Sequence, residues 1–193
     1  MGRPKAFDED AVLDRAAELF WTQGYEATSI SDLEERLGVG RQSLYDTFGD
    51  KRRLFLRAIE RYTEWNRDGL VGGLLVPDAG MEAIRDYFRA LATGLTDSTP
   101  RRACLIANSL LEIGCEDREV LSRCQKGQRA MHRGFEHALG HAVAAGELPR
   151  DLDVSLTARL LTSQVYGMSV LSQAGASASE LRQLAEGLLN HLG

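Results

Sequence analysis

The sequence predicts an all-α protein, with an amino-terminal three-helix unit containing a helix-turn-helix and six further helices behind it. Apolar residues recur at i, i+3, i+4 and i+7 along most of the 193 residues, whereas few stretches alternate with the two-residue period of strands. Of only four prolines, Pro77, Pro100 and Pro149 fall between periodic segments, and Pro4 lies in an amino-terminal arm. Hydrophobic residues make up 44% and charged residues 26%, enough for one domain of ordinary size or two small ones sharing a helix.

The first helix is predicted from about Asp8 to Gln23, with Leu13, Ala16, Ala17 and Phe20 on its inward face and Gly24 as its stop. Thr28 or Ser29 can cap a second helix, Ile30 to Leu37, whose early acids suit the helix dipole. Gly38-Val39-Gly40 forces a tight turn, and Arg41 to Phe48 forms a third helix with Leu44 and Phe48 inward. Two short helices across a glycine-containing turn, braced by a third, make a helix-turn-helix. Gly49-Asp50 ends the third helix and caps a fourth. That helix carries an apolar stripe (Leu54, Phe55, Ala58, Ile59, Tyr62) and a row of Arg53, Arg57 and Arg61 on another side. Taken alone the arginine row reads as a solvated face; behind a helix-turn-helix it also lies near phosphates.

Beyond Pro77, helices are predicted at about 79–96, 101–113, 117–146, 152–175 and 177–192. The last two carry wide stripes, Leu160, Leu161, Val165, Met168 and Leu171 on one and Leu181, Leu184, Ala185, Leu188 and Leu192 on the other. Such a pair packs either within the chain or as half of a four-helix bundle with a second copy.

Several classes are excluded. Mean hydropathy is −0.25 and charges interrupt every stretch long enough to span a bilayer, so no membrane partner is expected. The amino terminus lacks the apolar run of a signal peptide, and three cysteines without a CxxC pair fit a reducing, cytoplasmic setting. Net charge is −5, yet residues 36–61 hold seven Lys or Arg against three Asp or Glu. A local basic patch matters more for phosphate binding than the whole-chain sum.

Residues Phe7 to Tyr62 closely resemble the amino-terminal domain of the TetR family of transcriptional regulators. The resemblance rests on Ala16-Ala17-Glu18-Leu19-Phe20, Gly24 to Ile30, Leu37-Gly38-Val39, Leu44 to Phe48, and Gly49-Asp50-Lys51-Arg52-Arg53-Leu54-Phe55. Gly146-Glu147-Leu148-Pro149 with Asp151-Leu152-Asp153 also looks like a loop of the family. One departure is Gly40, where many relatives place Ser or Thr; glycine caps less strongly. The resemblance implies a homodimer that binds a palindromic double-stranded DNA operator, most simply a repressor released by a small-molecule effector. It divides the chain into residues 1–50, the DNA-binding domain, and 51–193, the effector-binding and dimerisation domain. Arg41, Gln42 and Ser43 open the second helix of the helix-turn-helix, the end that faces base edges in the major groove. Arg suits guanine and Gln suits adenine, because each can pair bidentately. Thr28, Tyr45 and Lys51 match positions that touch phosphates, which set register. Arg3 and Lys5 can reach an adjacent groove or backbone.

The carboxyl half is expected to hold an apolar effector pocket lined by Trp65, Phe88, Cys104, Asn108, Leu111, Phe135 and Tyr166. Helical geometry puts Cys104, Asn108 and Leu111 on one face. An alternative is a thiol-based redox or electrophile sensor using Cys104. Eleven residues of straight helix would separate Cys104 from Cys115 by about 16 Å, beyond the roughly 7 Å that a disulfide allows. Cys124 lies on an apolar stripe and reads as core. Of His132, His137 and His141, only the last two share a helix face, too few ligands for a closed zinc site. No cofactor is expected. There is no nucleophile motif, phosphate loop or carboxylate pair in a recognisable setting, so an enzyme is not expected either. A constitutive DNA-binding protein would not need a carboxyl half this long.

Overall fold

A computed structural model describes residues 7–97 and 104–192, and every regular element among them is helical. The order is α1 (Glu9–Gln23), α2 (Ile30–Leu37), α3 (Arg41–Phe48), α4 (Lys51–Asp68), a short 3₁₀ turn (Gly72–Leu75), α5 (Met81–Thr96), α6 (Leu105–Ser109), a π-type turn (Leu110–Gly114), α7 (Arg118–Ala145), α8 (Val154–Gln173) and α9 (Ala178–Leu189). Arg3, Lys5 and the start of the helix expected at 101 lie outside the described residues.

The chain forms two compact units. The first comprises residues 7–63 with Leu105–Cys124, and the second residues 64–97, Cys104 and 125–192. The first is therefore larger than residues 1–50 and is built from two separate stretches of chain.

In the first unit, the stripes of α1 and α4 meet. Phe20 and Phe55 are fully buried and pack edge to face at 4.9 Å, with Ala16, Ala17, Ala58 and Ile59 sealed beside them. Leu33 and Leu37 of α2 and Leu44 and Phe48 of α3 complete this core. Burying each large side chain contributes about 1.5–3 kcal/mol. The α4 arginines are put to use: Arg57 lies over the Phe48 ring at 4.9 Å and Arg61 pairs with Asp14.

In the second unit, α5 packs against α8, α9 and the 3₁₀ turn. Its inward residues Ile84, Tyr87, Phe88, Leu91 and Leu95 meet Phe135 and Leu139 of α7, Leu161, Val165 and Met168 of α8, and Leu181, Ala185 and Leu189 of α9. At Gly134 the 3₁₀ turn comes so close that an added Cβ would press on Val71 and Leu74. One turn on, His137 Nδ1 sits 2.9 Å from the Leu74 carbonyl and its ring lies against His141. Among the described residues no group of three potential metal ligands comes together, and no helix is long and apolar enough to cross a membrane.

Both terminal stripes are only partly covered. Leu156, Leu160, Val170 and Leu171 of α8 and Leu184 of α9 remain exposed.

Candidate nucleic-acid interface

The helix-turn-helix is assembled from caps as much as from its core. Ser29 accepts from the Asp32 N–H at 3.1 Å, and Asp32 accepts from the Ser29 N–H at 2.7 Å, a reciprocal box that starts α2. Hydrogen bonding from Ser29 holds the Asp32 carboxyl below its ordinary range. Gly38 ends α2 in the left-handed conformation (φ 67°), which glycine adopts without steric cost. Arg15 of α1 donates to the Leu37 carbonyl at 3.0 Å, satisfying one acceptor freed at that end. Val39 is buried in the turn.

Gly40 offers α3 no side-chain cap, and the structure supplies one from α2. The Glu34 carboxylate accepts from the Arg41 N–H at 2.7 Å. The start of α3 is thus tied, and not loosened by the absence of a Ser or Thr. Asp50 caps α4 by accepting from the Arg53 N–H at 2.7 Å.

Arg41, Gln42 and Ser43 are all exposed on the first turn of α3. The Arg41 guanidinium lies along Tyr45, 5.4 Å from its ring centroid and 3.4 Å from its hydroxyl. Gln42 Nε2 donates to Asp46 at 2.9 Å, one turn later, which directs its amide oxygen away from that carboxylate. Lys51 opens α4 with its ammonium 4.3 Å above the Tyr25 ring. Burial is the main cause that raises the Tyr25 hydroxyl above its ordinary range, with Glu26 next.

Thr28 sits differently from its expected role. It is fully buried and its hydroxyl donates to the Gly24 carbonyl at 2.6 Å, so it locks the loop before α2. Sequence reasoning missed Glu34, Tyr25, Asp46 and Glu112, whose partners lie in other elements or one helical turn away; only the Gln42–Asp46 spacing carried a signal.

The expected effector residues are divided between the two units. Tyr87, Phe88 and Phe135 form an aromatic cluster, with Tyr87 edge-on to Phe88 at 5.5 Å and to Phe135 at 4.9 Å. The Tyr87 hydroxyl donates to the Met131 sulfur at 3.2 Å. Burial drives the Tyr87 hydroxyl far above its ordinary range, and nearby Cys104 and Tyr166 push the same way. Trp65 is half-buried on α4. Asn108 and Leu111 belong to the first compact unit, whereas Cys104 belongs to the second. Leu111 is 83% exposed, so the shared face expected for Cys104, Asn108 and Leu111 fails. The reason is local. α6 stops at Ser109, and the wider π-type turn that follows changes the angular phase of every later residue.

Residues Leu105–Cys124 are tied into the first unit by charge. Arg52 of α4 grips Asp117 through two nitrogens, one at 2.8 Å, and also reaches Glu119 at 3.2 Å. That guanidinium is the main cause holding the Asp117 carboxyl at about 2. Arg123 pairs with Glu60 at 2.9 Å, and Glu112 accepts from the Tyr25 N–H at 2.7 Å.

Comparison with known proteins agrees with this architecture. The family described as "Bacterial regulatory proteins, tetR family" matches residues 12–58, and the "Tetracyclin repressor-like, C-terminal domain" matches residues 80–188. The chain is 38% identical over 183 residues to the uncharacterised HTH-type transcriptional regulator YezE of Bacillus subtilis (strain 168), covering 94% of each chain. It is 34% identical over 185 residues to the HTH-type transcriptional repressor ComR of Escherichia coli (strain K12), covering 95% of this chain and 88% of that one. Among solved structures, a cysteine mutant of the TetR family regulator CifR in complex with a 26-bp double-strand operator superposes with a TM-score of 0.82 at 29% identity, with 100% of both chains covered. A capped helix-turn-helix, matching regions in both halves of the chain and relatives of this identity lead to one conclusion: the chain belongs to the TetR family of DNA-binding transcriptional regulators.

Proposed function

We propose that the protein is a dimeric repressor that binds a palindromic operator through α3 and leaves it when a small molecule occupies the carboxyl half. The observation that carries this reading is the exposed first turn of α3, where Arg41, Gln42 and Ser43 stand clear of the core beside Lys51. Arg41 and Gln42 read base edges; Tyr45 and Lys51 hold the backbone. In this reading residues 1–50 make the DNA contacts together with Lys51, the first residue of the stretch 51–193 that otherwise binds effector and partner.

Dimerisation is supported by the exposed leucines of α8. Leu156, Leu160, Gly167, Val170 and Leu171 fall within about 100° of the helix circumference, and Leu184 of α9 is uncovered as well. A second copy of the same stripe is the self-complementary partner a two-fold interface requires. The effector reading is supported by the aromatic character of the second unit's core, where Tyr87, Phe88 and Phe135 cluster with Cys104 and Tyr166 beside them. The alternative reading makes Cys104 a redox or electrophile sensor. Its thiol is buried, so an oxidant or electrophile must enter the second unit to reach it.

Selection of random duplexes by the purified chain tests the proposal. An enriched palindrome supports it, and Gln42→Ala then relaxes preference at one base pair by about 1–3 kcal/mol while Tyr45→Ala weakens all sequences alike. Absence of enrichment, or a uniform loss from Gln42→Ala, rejects the assigned roles. Leu160→Glu with Leu184→Glu should give a monomer in sedimentation. A small-molecule library that never releases the selected duplex counts against the effector, and rapid maleimide labelling of Cys104 in the folded chain would favour the thiol alternative.

A further inference from the structure

We propose that Glu112, in the π-type turn, is a positioning residue for DNA binding that acts through Tyr25 on Lys51. The inference rests on the reading of Lys51 as a phosphate contact.

The chain of contacts is short and lies within the first compact unit. The Gly24 N–H closes α1 onto the Phe20 carbonyl, and the next donor, the Tyr25 N–H, is taken by the Glu112 carboxylate at 2.7 Å. Gly24 makes that approach possible: a Cβ there would collide with the Glu112 carboxylate, and its φ of 83° with ψ 174° is essentially restricted to glycine. With its backbone held, the Tyr25 ring is wedged against Phe55 at 4.7 Å and leans towards Phe20 at 6.3 Å. The ring face carries the Lys51 ammonium at 4.3 Å. A cation over an aromatic face is attracted by the ring quadrupole.

Lys51 needs such a holder. It is the first residue of α4, whose first turn contains no acid and whose capping carboxylate, Asp50, is engaged with the Arg53 N–H. The positive end of the helix dipole repels an ammonium there and attracts a phosphate. The Tyr25 ring therefore keeps the side chain at the helix terminus until an anion takes over. Glu112 is thus joined to a DNA-facing cation by one hydrogen bond and one ring.

The test uses the full chain and the duplex that the wild-type chain selects from a random pool, with affinity measured from low to high salt. Each lost phosphate contact lowers the slope of log K against log salt by about 0.9. Lys51→Ala should lower the slope by about that amount per reading domain, and Glu112→Ala should do the same. The double variant should lose no more than Lys51→Ala alone. Glu112→Gln, which retains an acceptor oxygen, should keep the wild-type slope. Tyr25→Leu keeps the backbone donor and removes the ring, so it should behave as Lys51→Ala does even if Glu112→Ala folds poorly. Loss of slope with Lys51→Ala but not with Glu112→Ala or Tyr25→Leu overturns the role of Glu112, as do losses that add in the double variant. An unchanged slope in Lys51→Ala removes the phosphate reading of Lys51 itself, a different result.

Discussion

Helices α2 and α5 begin in opposite ways. α2 starts with a box made by its own residues, Ser29 and Asp32, three positions apart. α5 starts at Gly80, which has no side chain to offer, and its Met81 N–H is taken at 2.8 Å by Glu147, 66 residues later. Both satisfy donors that a helix leaves without internal partners. The first arrangement is available to a short fragment. The second exists only after α7 has turned at Gly146 and Leu148 has entered the core of the second unit. A local cap helps to start a helix, whereas a borrowed one reports that distant chain has arrived. Glu34 at α3 and Glu112 at the end of α1 belong to the borrowed kind, each serving a backbone beside a glycine.

Substitutions at the caps break or sharpen this contrast. The largest effect is expected at Gly24, where alanine combines a conformation costing about 1–3 kcal/mol for other residues with loss of the Glu112 bond. Gly24→Ala should lower stability by about 2 kcal/mol or more in denaturant unfolding followed at Trp21, and weaken DNA binding. A fall of less than about 0.5 kcal/mol would show that the loop re-forms around a side chain.

Next is Glu147→Ala, which strips the cap from α5. It should cost about 1–2 kcal/mol, read at Trp65 in the second unit. Ser29→Ala is the local counterpart, expected to cost about 1 kcal/mol and to be read at Trp21. Equal sensitivity of both tryptophans to Glu147→Ala would remove the assignment of that cap to the second unit.

A double-mutant cycle at α3 asks whether a local cap can replace a borrowed one. Glu34→Ala should cost about 1 kcal/mol in the natural chain, and about half of that or less once Gly40→Ser provides its own oxygen. Simple additivity would mean that serine at 40 does not reach the Arg41 backbone region that Glu34 serves.

The smallest expected effect is a pH dependence. Asp117 is held at about 2 against an ordinary 3.8, chiefly by Arg52. A lowered folded-state value stabilises the fold above the ordinary one and is lost as pH falls through the lower one. Asp117→Asn should therefore narrow its stability gap to the natural chain as pH drops from about 4 towards 2. A gap that stays constant across that window would show that the Arg52 pairing contributes nothing through charge.

The legibility of each element follows the range of the forces that set it. The inward faces of α1 to α4 were readable because Leu13, Phe20, Leu44, Phe48 and Phe55 repeat with the helical period, and that period is a property of neighbouring residues. The cap at Asp50 was readable from neighbouring residues too, and that of α2 was narrowed to Thr28 or Ser29, of which Ser29 is the cap. For Thr28, residue type and position suggest a phosphate contact, while only packing shows its hydroxyl turned inward to Gly24. The face predicted for Cys104, Asn108 and Leu111 failed because one wide turn after Ser109 breaks the angular count, and nothing local in Leu110 to Gly114 announces it.

By itself, the sequence determined where most of the helices lie, which side of α1 to α4 is apolar, and that Arg41, Gln42 and Ser43 open the second helix of the helix-turn-helix. Those features depend on periodicity, turn residues and short-range hydrogen bonds, all decided within a few positions. Tertiary structure alone decided that residues 105–124 join the first unit through Asp117, Glu112 and Arg123, that Glu34 and Glu147 cap helices at Gly40 and Gly80, and that leucines of α8 and α9 remain uncovered. A carboxylate finds a distant backbone donor only when the intervening chain has folded, and no residue pattern along the chain records which donor that will be.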